Sequence, residues 1–247
     1  MTLPILHRGA AELGLELSED QLERFEKYHH LLVDWNTRFN LTAVTDYDAV
    51  QTIHFLDSLT ILRARFDLEG KSVIDIGAGA GFPGLPLKIA LPGLRLTLLE
   101  ATGKKAVFLS HLAAALGFPD VTVLNSRAED TARQPQHRER YDIAVSRAVA
   151  SLATLCELCL PFCRIGGKFI AMKKGDIASE IESAGKAVET LGGHFQSVVP
   201  VEISLLPDTR KLVIIEKVAP TPPEFPRRSG LPAKKPLRSP FAASSSE

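Results

Sequence analysis

The residues best suited to chemistry lie in a glycine-rich stretch in the first half of the chain. Asp75 is followed by Gly77, Gly79, Gly81 and Gly84, and the stretch connects a short apolar run to a helical pattern. Glycine reaches positive φ angles and lets a ligand approach the backbone where a Cβ would collide. Such a turn between a strand and a helix is typical of nucleotide-binding sites.

Glu100 indicates which kind of nucleotide this turn would hold. It ends the next predicted strand, where a carboxylate accepts hydrogen bonds from both ribose hydroxyls of an adenosine. The third glycine of a dinucleotide fingerprint would fall on Phe82, so the spacing differs from that of NAD sites. Asp75 also places negative charge where a pyrophosphate would lie. A cofactor with an adenosine and a cationic centre fits better, and S-adenosylmethionine (SAM) is the common one.

Alternating strand and helix patterns predict an α/β fold around this turn. Strands are predicted at Val73–Ile76, Arg95–Leu99, Val121–Leu124, Tyr141–Val145, Gly167–Met172, Ser197–Leu205 and Lys211–Val218. Helices are predicted at Pro83–Leu91, Lys104–Leu116, Ser151–Phe162 and Ile177–Leu191. This alternation favours a Rossmann-like, mostly parallel sheet of seven strands with helices on both faces. The last two strands have no helix between them, so we expect a hairpin and an antiparallel last strand.

Two further zones flank this predicted SAM-binding domain of residues 67–218. Residues 1–66 have helical periodicity and form an N-terminal helical extension, with a capping box at Ser18 and Gln21. Residues 219–247 form a tail rich in proline and basic residues, which cannot build a packed core alone.

The composition excludes several classes of protein. The 247 residues contain 29 Lys+Arg and 29 Asp+Glu, so a polyanionic partner must be held by a local basic patch. Cys156, Cys159 and Cys163 cannot form a disulfide framework, and no other Cys or nearby His completes a metal site. We interpret them as buried thiols. No apolar run approaches the roughly 20 residues of a membrane helix. We therefore expect a cytoplasmic protein without a metal, and a single core that demands no partner subunit.

Several longer runs resemble the bacterial small-subunit ribosomal RNA methyltransferase G family, also called glucose-inhibited division protein B. The runs are Phe39–Thr42, His54–Leu59, Asp75–Lys88, Ser126–Glu129, Ser146–Ala150 and Met172–Gly175. The resemblance covers about residues 20–218. It implies a SAM-dependent transfer of a methyl group to N7 of a guanosine in 16S ribosomal RNA, with S-adenosylhomocysteine as product and the small ribosomal subunit as partner.

The residues after the fourth predicted strand agree with this reaction. Enzymes that methylate exocyclic base amines usually carry an Asn/Asp-Pro-Pro-aromatic motif here, and those that methylate pyrimidine C5 use a cysteine. Ser146 and Arg147 match neither pattern. Guanine N7 has an exposed lone pair at neutral pH, so its methylation needs in-line placement rather than a general base. Arg147 is accordingly expected to be a positioning residue.

The resemblance also implies a set of cofactor contacts. Gly77, Gly79 and Phe82 would surround the methionine end of SAM, Glu100, Ala101 and Thr102 its ribose, and Ala128 and Glu129 its adenine. Arg147 lies at the C-terminal end of its strand and would face the ligand crevice. There it would hold the SAM carboxylate or an RNA phosphate. The competing interpretation is an ion pair with an acid such as Asp142.

Polar and basic residues near this crevice are candidates for RNA contacts. They are Asn40, His54, Lys173, Lys174, Arg210, Arg227 and Arg228. Lys173 is the strongest candidate because it follows the fifth strand, which borders the crevice. Arg227 and Arg228 in the tail would grip phosphates as a flexible clamp. By local pattern alone, Asn40 is typical of a helix C-cap and His54 of a packed helix residue.

Two other classes of function use similar features. An NAD-linked oxidoreductase also has a glycine-rich turn, but the glycine spacing and the lack of an evident hydride-transfer acid–base pair count against it. A SAM-gated RNA-binding or assembly factor with little turnover would carry the same positioning residues. Turnover of SAM to S-adenosylhomocysteine on ribosomal RNA distinguishes an enzyme from such a factor.

Overall fold

The computed structural model describes residues 3–147 and 150–237. Ala148 and Val149, which belong to the run after the fourth strand, lie outside the described residues, as does the tail from residue 238 onward. Within the described ranges, no helix has the length and apolar character needed to cross a membrane.

The first part of the chain is helical, as its periodicity predicts. It contains α1 (Pro4–Glu12), α2 (Glu19–Phe39), α3 (Tyr47–Ala49), a π-helix (Val50–Leu56), α4 (Asp57–Leu59) and a 3₁₀-helix (Thr60–Ala64). The capping box at the start of α2 is present, because Ser18 and Gln21 each accept a hydrogen bond from the other's backbone N–H. At the other end, Asn40 has a left-handed φ of 48° and caps α2.

A seven-stranded sheet forms the centre of the molecule. Its strands are β1 (Ser72–Ile76), β2 (Arg95–Leu99), β3 (Thr122–Leu124), β4 (Tyr141–Ser146), β5 (Cys163–Lys174), β6 (Gly193–Val201) and β7 (Arg210–Lys217). The order is β3-β2-β1-β4-β5-β7-β6, and β7 is antiparallel to both of its neighbours while the pairs from β3 to β5 are parallel. The predicted Rossmann-like, mostly parallel sheet of seven strands, with its antiparallel last strand, is confirmed.

Helices cover both faces of this sheet. They are α5 (Gly84–Ala90), α6 (Gly103–Ala115), α7 (Ala128–Thr131), α8 (Leu152–Cys159), α9 (Ala178–Thr190) and α10 (Leu231–Lys234). Helix α2 packs on α5 and α6 at one face, whereas α8 packs on α9, β4 and β5 at the other. Cys156, Cys159 and Cys163 lie in the second face and have 0% exposure, which confirms the prediction of buried thiols. Burial raises the pKa of Cys163 to about 12, so a thiolate nucleophile is strongly disfavoured.

Some element boundaries differ from the predictions. Strand β5 begins at Cys163 and ends at Lys174, beyond both predicted ends, because it pairs first with β4 and then with β7. Strand β6 spans Gly193–Val201, four residues earlier than predicted at each end. Its register on β7 fixes these ends, and an apolar pattern alone does not encode that register.

The tail is packed on the domain up to residue 237. Arg138 Nη2 donates to the Thr221 carbonyl at 2.7 Å, and Nη1 donates to the Phe225 carbonyl at 2.8 Å. Arg227 Nη2 donates to the carboxylate of Glu157 at 2.6 Å, and Glu157 has 0% exposure. The Arg227 guanidinium is therefore occupied by a buried acid rather than free, whereas the RNA contact expected of Arg228 stays a prediction.

Candidate cofactor and substrate site

The glycine-rich turn begins where β1 ends and is bound to the end of β2. The N–H groups of Gly77 and Ala78 donate to the Leu99 carbonyl at 2.9 and 3.1 Å. Gly77 and Gly79 have φ angles of 74° and 61°, which favour glycine. A Cβ on Gly79 would meet only the Gly77 carbonyl oxygen within 4 Å, at 3.9 Å. The space above the turn is thus open to a ligand.

The Glu100 carboxylate is fixed by two backbone donors from this region. The Gly79 N–H donates to its Oε2 at 2.9 Å, and the Thr102 N–H donates to its Oε1 at 2.7 Å. Each carboxylate oxygen has a second lone pair. Glu100 is therefore oriented in advance, and it retains the capacity to accept hydrogen bonds from two ribose hydroxyls.

Asp75 shows which charge suits the site. Its side chain is buried, its Oδ2 accepts from the Gly84 N–H at 2.8 Å, and its Oδ1 has no hydrogen-bond partner among the described residues. Burial raises the pKa of Asp75 to about 7. A nearby cation would stabilise the ionised carboxylate, whereas a phosphate would repel it. The residues present therefore fit a positively charged ligand such as SAM and disfavour a dinucleotide.

The loops after β2 and β3 lie side by side. Asn125 Nδ2 donates to the carbonyls of Glu100 and Ala101 at 3.0 and 3.2 Å. Helix α7 follows three residues later, and the Oε1 atom of its Glu129 accepts from the Gly230 N–H of the tail at 2.7 Å. The structure thus places on neighbouring loops the residues predicted for ribose and adenine, namely Glu100, Ala101, Thr102, Ala128 and Glu129.

Phe82 connects the turn to the helical extension. Its ring stacks on Tyr28 with centroids 5.2 Å apart and on His54 with centroids 4.5 Å apart. The Tyr28 hydroxyl donates to the Ala80 carbonyl at 2.6 Å, and a Cβ on Gly81 would lie 2.5 Å from that hydroxyl. Helix α2 therefore holds the shape of the turn. The helical periodicity of residues 1–66 did not indicate this role of Tyr28.

Asp57 binds two arginines from distant strands. Arg147 Nη1 donates to Asp57 Oδ2 at 2.9 Å and to the Ile53 carbonyl at 2.9 Å, while Arg210 Nε donates to Asp57 Oδ1 at 2.5 Å. Asp57 is 6% exposed and Arg210 7%. One buried carboxylate thus orients two guanidinium groups, and the exposed Asp208 lies 3.5 Å from Arg210 at the edge of the cluster.

The alternative partner of Arg147, Asp142, lies in a different network. Asp142 Oδ2 accepts from the Ser72 N–H at 2.8 Å, and Oδ1 accepts from Arg164 Nε at 2.7 Å. Burial opposes ionisation of Asp142, but these hydrogen bonds and the charge of Arg164 lower its pKa to about 2. The ion pair of Arg147 is therefore made with Asp57, and the suggestion of Asp142 was wrong.

His54 is neutral at physiological pH. Burial, together with the charge of Arg147, lowers the pKa of His54 to about 4. Its Nδ1 lies 3.4 Å from Arg147 Nη2, and its Nε2 lies 2.9 Å from Thr42 Oγ1. Because arginine only donates, Nδ1 is the acceptor and the ring proton lies on Nε2. The imidazole is thus held between Arg147 and the Thr42 hydroxyl.

A cavity of about 710 Å³ opens beside these groups, a volume typical of ligand pockets. Its lining includes His54, Asp57, Arg147, Lys173, Lys174 and Arg210. Lys173 Nζ donates to the Ala150 carbonyl at 2.7 Å and pairs with Glu180 at 2.8 Å. Lys174 is exposed and makes no side-chain hydrogen bond within the described chain. Four of the predicted RNA residues therefore converge on one cavity.

The three remaining RNA candidates do not line this cavity. Asn40 is exposed and starts the loop that carries Thr42 to His54. Arg227 is bound to Glu157, and Arg228 is exposed in the tail. Sequence patterns did not identify Arg138 and Glu157 as anchors of the tail. Arg138 binds backbone carbonyls, which any residue can supply, and Glu157 binds a residue 70 positions away.

Structures with low sequence identity show the same fold. The [4+2]-cyclase SpnF matches with a TM-score of 0.52 and 13% identity, covering 68% of this chain and 82% of its own. TrmN from Thermus thermophilus matches with a TM-score of 0.51 and 16% identity, covering 66% of this chain and 48% of its own. At this identity the likeness concerns the fold alone.

Sequence relatives are much closer and extend over nearly the whole chain. The ribosomal RNA small subunit methyltransferase G of Dehalococcoides mccartyi is 52% identical over 229 residues, 93% of this chain and 97% of the relative. The protein of the same name from Roseiflexus sp. (strain RS-1) is 50% identical over 235 residues, 95% of this chain and 100% of the relative. A family model described as rRNA small subunit methyltransferase G (GidB) matches residues 21–212. The chain therefore belongs to the rRNA small subunit methyltransferase G family of SAM-dependent methyltransferases.

Proposed function

We propose that this protein transfers the methyl group of SAM to N7 of a guanosine in the 16S ribosomal RNA of the small subunit. The observation that carries this proposal is the position of Phe82. Its ring belongs to the glycine-rich turn, yet it stacks on His54 and lies 5.1 Å from the guanidinium carbon of Arg147, both of which line the cavity. A cofactor on the turn and a base in the cavity would therefore meet at Phe82.

The cofactor residues have separate tasks in this proposal. SAM supplies a methyl group on a positively charged sulfur, which a nucleophile displaces. Glu100 accepts the ribose hydroxyls, and its two backbone hydrogen bonds keep it in place. The buried Asp75 favours the cationic end of the cofactor. Binding to a preorganised site reduces the entropy lost in reaching the reactive geometry, which is the main catalytic contribution expected here.

The cavity supports attack by a ring nitrogen rather than by an exocyclic amine. Methylation of an amine requires a group that removes a proton, but guanine N7 has no proton and carries a free lone pair. Among the described lining residues, Asp57 is held between Arg147 and Arg210, and Glu180 is paired with Lys173. The His54 acceptor atom Nδ1 faces Arg147. After N7 attacks, the positive charge moves from sulfur to the purine, and no proton needs to leave.

The charge around the cavity supports an RNA substrate. Lys174 also lines a second cavity, of about 700 Å³, together with Lys211. In the sheet, Lys173 pairs with Lys211 and Lys174 with Arg210 across β5 and β7. Lys173 is paired with Glu180 and Arg210 with Asp57, whereas Lys174 and Lys211 make no ion pair within the described residues. These two lysines place positive charge at this sheet end of a chain with no net charge, and such charge attracts phosphates. In this proposal the protein acts as a monomer in the cytoplasm.

The test is methyl transfer from radiolabelled SAM to purified small subunits that lack the modification, followed by nucleoside analysis. We expect the label in 7-methylguanosine. Label in another nucleoside would refute N7 as the acceptor. If SAM binds but no label is transferred, the protein acts as a binding or assembly factor. Calorimetry with SAM and with NAD tests the oxidoreductase alternative, and we expect heat of binding with SAM alone.

A further inference from the structure

We propose that the C-terminal segment of residues 220–237 is a wall of the cofactor site, in which Gly230 positions Glu129 for the adenine of SAM. We call this segment the strap. The inference rests on the proposed function, because it assumes that Glu129 faces the adenine. It replaces the expectation that the basic tail grips RNA.

The contact between the strap and the cofactor loop is direct. The Gly230 N–H donates to Glu129 Oε1 at 2.7 Å, and the adjacent Ser229 hydroxyl lies 3.2 and 3.3 Å from the two carboxylate oxygens of Asp130. Glu129 is only 7% exposed. A buried carboxylate is costly unless it receives hydrogen bonds. Gly230 supplies one to Oε1 and leaves Oε2 as the acceptor for an adenine amino group.

Arg227 anchors the strap three residues before this contact. Its Nε and Nη2 donate to the Glu157 carboxylate at 2.9 and 2.6 Å, and its backbone N–H donates to the same carboxylate at 2.7 Å. Glu157 lies on α8 and has 0% exposure. Two-pronged bonds between arginine and a carboxylate are strong and directional. The position of Gly230 is therefore fixed by a buried ion pair.

A second set of anchors holds the beginning of the strap. Arg138 donates to the carbonyls of Thr221, Pro222 and Phe225 at 2.7, 3.1 and 2.8 Å. Arg133 Nη2 donates to the Pro226 carbonyl at 2.6 Å. Three arginines of this region are thus engaged by the protein itself. These guanidinium groups therefore hold the strap in place and are not free for phosphates.

The experiment compares two adjacent arginines. The double variant Arg227→Ala/Glu157→Gln removes the anchor and leaves no unpaired buried charge, and Arg228→Ala alone is its control. SAM affinity of each is measured by calorimetry against the wild type, and melting without SAM is followed by circular dichroism. We expect about tenfold weaker SAM binding for the Arg227 double variant, from the loss of roughly one anchored hydrogen bond. The Arg228 variant, whose side chain makes no hydrogen bond within the described chain, should retain the wild-type affinity.

A shortened chain provides a second measurement. A protein that ends at Phe225, also with Glu157→Gln, keeps the carbonyls that Arg138 binds and loses both Arg227 and Gly230. We expect the same loss of SAM affinity and an unchanged affinity for the small subunit. Unchanged SAM affinity with weaker, less salt-dependent RNA binding would overturn the strap and restore the clamp. If the full-length protein itself fails to bind SAM, the proposed function fails instead.

Discussion

Replacing Asp57 with asparagine tests how the two arginines are held. The carboxylate receives Arg147 at 2.9 Å and Arg210 at 2.5 Å, while 6% of Asp57 is exposed. An asparagine at this position would keep the shape of the side chain but lose its charge. Its NH2 group, which only donates hydrogen bonds, would face one of the two guanidinium groups, which also only donate. Breaking a buried ion pair from one side costs about 3–5 kcal/mol. We take about 3 kcal/mol for D57N, because the cavity admits water to Arg147.

Two measurements follow from this magnitude. For a chain of this size each kcal/mol lowers Tm by about 2–4 °C, so D57N should melt about 6–12 °C below the wild type. A displaced positioning residue costs on the order of 10²-fold in rate. We therefore expect kcat for methyl transfer to the small subunit to fall about a hundredfold, at a temperature where D57N is still folded. Calorimetry of SAM binding then shows which ligand Arg147 holds. Affinity falls if Arg147 holds the SAM carboxylate and is unchanged if it holds an RNA phosphate.

Asp142→Asn is the matched control. Asp142 also accepts from an arginine, Arg164, but it lies at the other end of β4 from Arg147. We expect D142N to lose about 1.5–3 kcal/mol of stability, the value of one hydrogen bond to a charged group, and to retain kcat. Equal losses of kcat in D57N and D142N would show that turnover follows stability alone. Wild-type stability and turnover in D57N would refute the orienting role of Asp57.

Three further changes test the cofactor turn. Glu100→Ala should weaken SAM binding about tenfold or more by calorimetry, whereas Glu69→Ala, which removes another carboxylate bound to a backbone N–H, should leave it unchanged. Burial raises the pKa of Asp75 to about 7, so the folded state keeps a proton that the unfolded state loses near pH 4. The stability that this group contributes is therefore present at low pH and is lost as the pH rises toward 7. SAM affinity should increase over the same range, because the ionised carboxylate favours the cationic cofactor. Asp75→Asn should remove both pH dependences, and their persistence would assign them to another group. Tyr28→Phe, which deletes the hydrogen bond to Ala80, should lower the free energy of unfolding by about 1 kcal/mol in urea titrations, and no change would argue against that bond.

Local patterns predicted the elements of the fold well because the signals lie within a few residues. The capping box of α2 needs only Ser18 and Gln21, and the turn after β1 needs glycines at Gly77 and Gly79. Glu100 was identifiable because parallel strands end at one edge of the sheet, so the end of the second strand had to lie beside the turn after the first.

The electrostatic partners were not predictable in this way. Asp57 meets Arg147 and Arg210 across separations of 90 and 153 residues, and nothing in the sequence selects it over Asp142. The strap was missed for a related reason. Its composition is polar and rich in proline, which favours disorder, but its anchors Arg138 and Arg227 bind carbonyl groups and a buried acid from elsewhere in the chain.

We expect the choice of substrate base to depend on the helical extension more than on the sheet. The turn and Glu100 belong to the sheet, whose fold is shared with the [4+2]-cyclase SpnF, so these features cannot by themselves select an RNA base. The run Phe39–Thr42 supplies the hydroxyl that binds His54, and the run His54–Leu59 supplies His54 and Asp57. Both runs lie in the helical extension, and His54 and Asp57 line the cavity from outside the sheet. We therefore expect the choice of base to depend on the extension and the cavity that it lines, and the binding of SAM to depend on the turn and Glu100.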